Sequence, residues 1–156
     1  QASYFNENFE KLEIELVRLY ADYQKLRIAP NQISFVSLTP SFGNWQKSYG
    51  VNVYPLVLSK YGVLPDEELL NVYRERIEAD GVEYIVYENN LPEDYMKLFN
   101  QIKTELDLTQ INLHNLYTLS EEEIENNEDY LSLMYRNLET LSALGNVEMD
   151  LEEDTD

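Results

Sequence analysis

Four polar residues lie at the ends of apolar segments and are the best candidates of this chain for binding chemistry. Thr39 and Ser41 follow one apolar run, Glu88 closes a second, and His114, the single histidine, follows a third. If these runs are parallel strands, their carboxyl ends meet at one edge, where open α/β sheets bind their ligands. A hydroxyl pair, a carboxylate and an imidazole at a shared rim suit a cation or a small polar molecule.

His114 and Glu88 are the candidate metal ligands. Neutral imidazole is a common metal ligand, and a carboxylate at the rim biases a crevice toward cations. Each residue also has an ordinary interpretation, His114 as a hydrogen-bonded or exposed histidine and Glu88 as a solvated or helix-capping carboxylate. Zinc takes about four ligands, so one histidine does not complete a closed site.

A neutral polar ligand is the alternative to a cation. Hydroxyl and amide groups at the same predicted edge would recognise it, and Asn90 adds one more amide. The predicted lining residues of the crevice are Thr39, Ser41, Phe42, Asn89 and Tyr117. Phe42 belongs to an aromatic set with Trp45 and Tyr49 at helical spacing, which would either stack a flat ligand or fill the core.

No sequence pattern in the chain indicates catalysis. There is no glycine-rich phosphate loop, no nucleophile elbow and no second histidine to complete a triad. The acidic run Glu121 to Glu125 lacks the spacing and the glycine of a calcium-binding loop, so a solvated helix face is the better interpretation. We therefore expect a binding protein rather than an enzyme.

Composition narrows the class of partner. The 156 residues carry a formal net charge of -19, which opposes binding to nucleic acid or to an anionic membrane surface. The absence of cysteine excludes disulfides and thiolate metal sites. No apolar run is long enough to predict a membrane span, and the length suits one domain with a substantial core.

Four short apolar segments alternate with helical patterns through the middle of the chain. The segments cover 33–38, 51–58, 83–87 and 109–113, and the helical patterns cover 42–49, 65–79 and 92–107. Pro40 suits the first turn after the first segment, where Thr39 or Ser41 would cap it. The alternation predicts an α/β fold, namely a four-stranded parallel sheet with helices on both faces.

One long helix is predicted ahead of the sheet. Large apolar residues recur at steps of four and three from Phe5 to Leu26, and Pro30 follows them. Such a seam serves either a coiled coil or, as we favour, packing along the domain. The predicted organisation is a backbone helix at 1–29, an α/β lobe at 30–145 and an acidic, disordered tail at 146–156.

Two further helices are predicted after the fourth apolar segment. Ser120 and Glu123 have the spacing of a capping box, which would open a short turn at 120–125. The last helix is predicted at 128–144, where apolar residues follow a helical period and Gly145 provides the stop.

Three motifs resemble the carboxyl-terminal lobe of the cluster A-I solute-binding proteins, which are the zinc- and manganese-binding receptors of ABC importers. They are FVSLTPSFGNWQKSYGV at 35–51, GVEYIVYENN at 81–90 and LSEEEIENNEDYLSLMYRNLETL at 119–141. Their order and spacing are similar to those of the family, and the long first helix resembles its interlobe backbone helix. The likeness runs from Tyr4 to Leu144.

The resemblance implies how a metal would be held. Proteins of this family bind the cation between two lobes, with two histidines from the amino-terminal lobe and two ligands from the carboxyl-terminal lobe. The two matching positions here hold Thr39 and Tyr117, whose hydroxyls are poor ligands for zinc or manganese. Glu88 matches a supporting group near the cleft. The resemblance thus implies zinc or manganese for the whole receptor, and weak or no zinc binding by this chain.

The resemblance also implies partners and a location. The expected partners are a missing amino-terminal lobe and an ABC permease in the membrane, and the expected location is extracytoplasmic, as a cell-surface lipoprotein or a periplasmic protein. The expected function is divalent-cation capture by a fragment or degenerate relative of such a receptor. The alternative is a metal-free adhesion or protein-interaction module on the cell surface, which Thr39 and Tyr117 favour.

Overall fold

The architecture is that of a computed structural model, which describes residues 2–58, 62–117 and 119–149, with side chains from residue 6 onward. The strands are β1 Ser34–Ser37, β2 Asn52–Pro55, β3 Tyr84–Glu88 and β4 Thr109–Leu113. The helices are α1 Ala2–Gln24, α2 Trp45–Tyr49, α3 Glu67–Ala79, α4 Glu93–Glu105, α5 Glu121–Glu125 and α6 Tyr130–Gly145. Short 3-10 turns at Lys25–Ile28 and Pro40–Phe42 follow α1 and β1.

The described strands form one sheet in the order β2-β1-β3-β4, and every neighbouring pair is parallel. This confirms the predicted fold class, a four-stranded parallel sheet preceded by one long helix. The chain leaves β1 toward β2 on one side and leaves β3 toward β4 on the other. Connections that diverge from two adjacent strands open a crevice outside their carboxyl ends.

Helices cover both faces of the sheet. On one face α1, α2 and α6 pack against Phe35 and Val86, and on the other α3 and α4 pack against Val36 and Ile85. Neighbouring residues of a strand point to opposite faces, so each strand feeds both cores. Burial on both faces explains why the two central strands place apolar residues at neighbouring positions, Phe35 with Val36 and Ile85 with Val86.

Polar residues fix the starts of helices as the sequence predicts. Ser120 and Glu123 form the predicted capping box at α5. At the turn after β1, Pro40 takes the first position and the Thr39 hydroxyl oxygen accepts the Ser41 N–H at 3.3 Å. This cap holds Thr39 at the end of β1, beside the crevice.

The long helix α1 packs on the domain only near its carboxyl end. The buried residues of the predicted seam are Leu19, Tyr23 and Leu26. The exposed residues are Phe9, Leu12 and Leu16, at 63%, 46% and 40%. Packing along the domain is therefore wrong for this stretch of the seam, and the side chain of Phe5 lies outside the described residues. In the described part of the chain, no helix combines the length and apolar character that a membrane span requires.

The chain continues against the core after α6. Asn146 ends the helix in the left-handed conformation, with φ of 55°, and Val147 donates its N–H to the Ser142 carbonyl at 2.9 Å. Val147 and Met149 then pack against the core. Residues 146–149, which the sequence predicts to belong to a disordered tail, are thus part of the folded lobe. The reason is that the apolar side chains of Val147 and Met149 contact the core. The rest of the predicted tail, 150–156, lies outside the described residues.

Candidate functional site

The rim of the crevice is built on the carboxylate of Glu88, the last residue of β3. The Thr39 hydroxyl, in the turn after β1, donates to Glu88 Oε2 at 2.8 Å. The Ser41 hydroxyl lies 3.2 Å from Glu88 Oε1 and 2.7 Å from Thr39 Oγ1. These contacts join the two strands that flank the crevice, so three of the predicted rim residues meet in one network.

Glu88 is buried, with 1% of its surface exposed. A buried carboxylate is tolerated when hydrogen bonds replace the water it has lost. The described residues provide three such donors, because Asn115 Nδ2 lies 3.2 Å from Oε1 and adds to the hydroxyls of Thr39 and Ser41. The carboxylate is therefore stabilised by the protein itself, without an ion.

Asn115 joins the loops that follow β3 and β4. Its N–H donates to Asn89 Oδ1 at 3.0 Å, and its side-chain amide donates to the Asn89 carbonyl at 3.1 Å. Its side-chain oxygen accepts the N–H of Tyr117, two residues on, at 3.1 Å. This local Asx turn fixes the β4 loop against the rim.

The His114 ring contacts α5 and its own loop. Nε2 lies 3.1 Å from Glu123 Oε1, and Nδ1 accepts the N–H of Leu116 at 2.8 Å. Since Nδ1 is an acceptor, the neutral ring carries its proton on Nε2 and donates it to Glu123. His114 is 5% exposed. His114 thus follows the end of β4, next to the rim, as the sequence predicts. Both nitrogens of its ring are already hydrogen-bonded.

The backbone of His114 is held by α6. Asn137 Oδ1 accepts the His114 N–H at 2.9 Å, and Asn137 Nδ2 donates to the His114 carbonyl at 2.9 Å. Asn137 is 1% exposed, so neither backbone group has water as an alternative partner. The Asn137 side chain thus pairs with both backbone groups of His114, as a neighbouring strand would. It thereby fixes the position at which the loop after β4 begins.

Glu123 ties α5 to α6 and to the β4 loop. Burial alone would raise the pKa of its carboxyl, but the Ser120 N–H, the Arg136 guanidinium and His114 together lower this pKa to about 2. The Arg136 bond is short, with Nη2 at 2.7 Å from Oε2. The Glu123 side chain is 12% exposed. Glu123 is therefore ionised at neutral pH, and its carboxylate holds α5 against Arg136 of α6 and His114 of the β4 loop.

The other predicted lining residues take different positions. Asn89 lies at the rim through its bonds to Asn115. Phe42 is 1% exposed and its ring centroid lies 4.8 Å from that of Trp45, so it belongs to the aromatic core and not to the crevice surface. Tyr117 is 75% exposed, and its side chain extends into solvent beyond the loop.

The rim offers few of the ligands that zinc or manganese prefers. Within residues 2–58, 62–117 and 119–149, no group of three or more histidine, aspartate and glutamate side chains is placed to hold a metal ion. At the positions where the family resemblance implies metal ligands, the chain has the hydroxyls of Thr39 and Tyr117, which are weak ligands. His114 would have to release a present hydrogen bond to reach an ion, since both of its ring nitrogens are bonded. The metal role of His114 and Glu88 stays a prediction.

Sequence reasoning missed Asn115 and Asn137, which hold the rim together. Asn115 follows the end of a strand and precedes a turn, which is the usual setting of an Asx turn and was a usable signal. Asn137 shares the buried face of α6 with Leu133, Met134 and Leu141, and an amide on such a face indicates a backbone partner elsewhere. The identity of that partner depends on the tertiary fold.

A separate concavity lies at the outer edge of β2, with a volume of about 350 Å³. Its walls include Tyr54, Tyr73 and Arg76, and the Tyr54 hydroxyl donates to Asp80 at 2.8 Å. It shares no residue with the rim. The rim nevertheless remains the better candidate site, because it lies at the divergence of two strand connections and concentrates the polar groups there.

Comparison with known proteins finds one matching family. The family described as zinc-uptake complex component A, periplasmic (ZnuA), matches residues 1–144. The zinc-binding protein AdcA of Streptococcus pyogenes serotype M3 is 29% identical over 145 residues, which cover 90% of this chain and 27% of AdcA. The chain therefore spans about a quarter of the length of this curated relative.

Solved structures share the fold. The laminin-binding protein Lbp of Streptococcus pyogenes aligns with a TM-score of 0.71 at 18% identity, covering 88% of this chain and 50% of Lbp. The Zn(II)-bound ZnuA-like domain of Streptococcus pneumoniae AdcA aligns with a TM-score of 0.67 at 23% identity, covering 91% of this chain and 52% of that domain. The lobe described here thus corresponds to about half of each solved chain.

Proposed function

We propose, from the fact that this chain belongs to the zinc-uptake complex component A family, that it forms the carboxyl-terminal lobe of a two-lobe receptor for a divalent cation. The cation, zinc or manganese, would be the cargo of an ABC importer. In this proposal the lobe closes over an ion whose stronger ligands come from an amino-terminal lobe. The receptor would act outside the cytoplasm and pass its cargo to a membrane permease.

The position of the Glu88 network is the observation that carries the proposal. The network lies where the connections from β1 and β3 diverge, which is the place where open parallel sheets bind their ligands. Its central group is an acid, and the chain as a whole carries a charge of -19. The electrostatic potential at such a rim favours cations over anions.

The exposed half of α1 supports the presence of a second lobe. Exposed large apolar side chains at steps of three and four share one side of this stretch, namely Phe9, Leu12 and Leu16 at 63%, 46% and 40%. A contiguous apolar surface of this kind is typical of a protein interface. We propose that the amino-terminal lobe packs here and that α1 passes between the two lobes.

Thr39 has a supporting role in this proposal. Its hydroxyl is a weak ligand for zinc, and it already donates a hydrogen bond to Glu88 Oε2 at 2.8 Å. The lobe alone should therefore bind zinc weakly. If His114 or Glu88 contacts the cation, it does so in the closed receptor, after exchanging a present hydrogen bond for the ion.

A metal-free interaction module is the second candidate. The observation that favours it is that three protein donors bond to Glu88, which stabilises the rim without an ion. In this case the exposed Tyr117 would contact a protein partner on the cell surface. The residues encoded ahead of Gln1 separate the two proposals, since a lobe with two cleft histidines supports cation capture and a different domain there supports the module.

Calorimetric titration of Zn²⁺ into the chain tests the proposal. The expected result is the absence of stoichiometric binding tighter than about 1 μM, and tight stoichiometric binding would contradict a half-site. Thr39→His adds an imidazole beside Glu88 and should strengthen zinc binding at least about tenfold. The exposed Thr104→His on α4 is the matched control. Equal gains in both variants would favour the interaction module.

A further inference from the structure

The outer edge of β4 is an open strand edge. β3 lies on one side of β4, and the described residues place no strand on the other. Alternate residues of a parallel strand bond the same neighbour, and the Thr109 N–H donates to the Glu83 carbonyl at 2.8 Å. Gln110 and Asn112 therefore direct their backbone N–H and carbonyl groups outward, and both residues are exposed.

The opposite edge of the sheet is protected. The N–H groups of Asn52 and Leu56 each donate to the β1 side at 2.9 Å, so Val53 and Pro55 face outward on β2. Proline has no N–H to offer, and natural sheets use it to prevent edge pairing. β4 contains neither proline nor a charged residue. Only one of the two edges carries this protection.

We propose that β4 pairs with β4 of a second copy of this chain. The pairing is antiparallel about a twofold axis at Ile111, so two four-stranded sheets join into one. In this register Gln110 lies opposite Asn112 of the second copy, and each such pair exchanges two backbone hydrogen bonds. Ile111 lies opposite Ile111 of the second copy. The register uses every outward-facing N–H of β4.

The side chains of β4 fit this register. Gln110 Nε2 donates to Asn112 Oδ1 at 3.0 Å within the chain, and the same two amides would oppose each other across the axis. Amides both donate and accept, so they are compatible in either orientation. On the other face the pairing covers the partly exposed Ile111. No charged side chain of one strand opposes a charged side chain of the other.

The antiparallel arrangement also limits repulsion between two acidic chains. Asp107, just before β4, would lie opposite residue 115 of the second copy, so the two Asp107 side chains are roughly 26 Å apart along the strands. This exceeds the Debye length of about 8 Å at physiological ionic strength. Lys103 places a positive charge beside the edge, with Nζ 3.4 Å from Gln110 Oε1. The repulsion that remains is long-range, and salt screens it.

Sedimentation equilibrium of the 156-residue chain tests the pairing. Between about 10 μM and 1 mM protein, a monomer–dimer equilibrium is expected, and it should tighten several-fold when salt rises from roughly 0.05 to 0.5 M. A basic extended peptide on the same edge would show the opposite salt dependence. A monomer at about 1 mM in both salts, or a dimer that salt weakens, would overturn the proposal.

Two double variants test the register. Gln110→Glu with Asn112→Glu places like charges opposite each other and should weaken the dimer at least about tenfold. Asn6→Glu with Asn8→Glu, on the exposed part of α1, adds the same charge and is the matched control, with an expected change of less than about threefold. The dimer lies elsewhere if the first pair has no more effect than the control.

Gln110→Lys with Asn112→Glu separates charge from fold. The new lysine lies opposite the new glutamate of the second copy, so the dimer should be at least as tight as that of the unaltered chain. The net charge of the chain does not change. This lysine–glutamate variant also tests the register if the double glutamate variant unfolds. A dimer of the lysine–glutamate variant that is weaker by about tenfold or more would overturn the register.

Discussion

The Thr39 hydroxyl donates to Glu88 Oε2 at 2.8 Å, although the two residues lie 49 positions apart in the chain. This bond crosses from the turn after β1 to the end of β3 and closes the rim of the crevice. It places a hydroxyl where the family resemblance implies a metal ligand, and that hydroxyl is directed at an acid. The rim is therefore a polar network in which protein donors stabilise the acid without an ion.

Glu88→Gln tests how much this network contributes to the stability of the fold. The new amide presents N–H groups to the donors of Thr39, Ser41 and Asn115, so at least one partly buried donor loses its acceptor. We expect the free energy of unfolding to fall by roughly 1–3 kcal/mol, measured by urea unfolding at neutral pH. The exposed Glu139→Gln on α6 should change it by less than about 0.5 kcal/mol. Equal effects of the two changes would show that the network adds no stability.

Asn137→Ala tests the clamp on the β4 loop. The change leaves the buried N–H and carbonyl of His114 without partners, and we expect a loss of about 2 kcal/mol or more in the free energy of unfolding. The exposed Asn100→Ala on α4 is the matched control. A loss no larger than that of the control would mean that water replaces the clamp.

Glu123 should make the stability of the chain sensitive to acid. Its pKa lies at about 2 in the folded chain, below the ordinary value of 4.5, so the ionised form stabilises the fold. The contribution is complete above the ordinary value and is lost as the pH falls toward 2. We expect the free energy of unfolding to fall over this range, and Glu123→Gln to reduce that fall. Glu125→Gln, on the exposed side of α5, should leave it in place, and a full acid response in both variants would contradict the assignment.

Two leucines on α1 test which part of that helix belongs to the lobe. Leu19 is 4% exposed and Leu16 is 40% exposed, while the change to alanine is chemically the same at both. We expect Leu19→Ala to lower the free energy of unfolding by roughly 2–5 kcal/mol and Leu16→Ala by less than about 1 kcal/mol. Thermal or urea unfolding measures both. Similar losses would mean that the stretch of α1 around Leu16 also packs on the lobe in solution.

The sequence predicts the sheet well because its two central strands, β1 and β3, are largely buried. A mainly apolar run such as Ile33 to Leu38 is a strong signal, and a cap such as Ser120 with Glu123 marks where a helix begins. Parallel strand direction then follows from the helices between the strands, and it brings Thr39 and Glu88 to one edge. This much depends on local pattern and on the handedness of connections.

The sequence does not predict which polar groups bond to each other. His114 follows β4 as expected, but its ring bonds to Glu123, because the backbone of the loop is fixed by Asn137 from a helix far along the chain. The apolar period of α1 likewise continues into a region where this lobe offers nothing to pack against. Such contacts depend on tertiary placement, which a period or a motif does not contain.

Titration of Zn²⁺ into the isotopically labelled chain, followed by the backbone amide signals in NMR, tests the central claim that the cation crevice lies between β1 and β3. The signals of Thr39, Ser41 and Glu88 are expected to move together in fast exchange, with a dissociation constant weaker than about 1 μM. Tight, slow-exchange binding, or rim signals that stay in place while another region saturates with zinc, would contradict it.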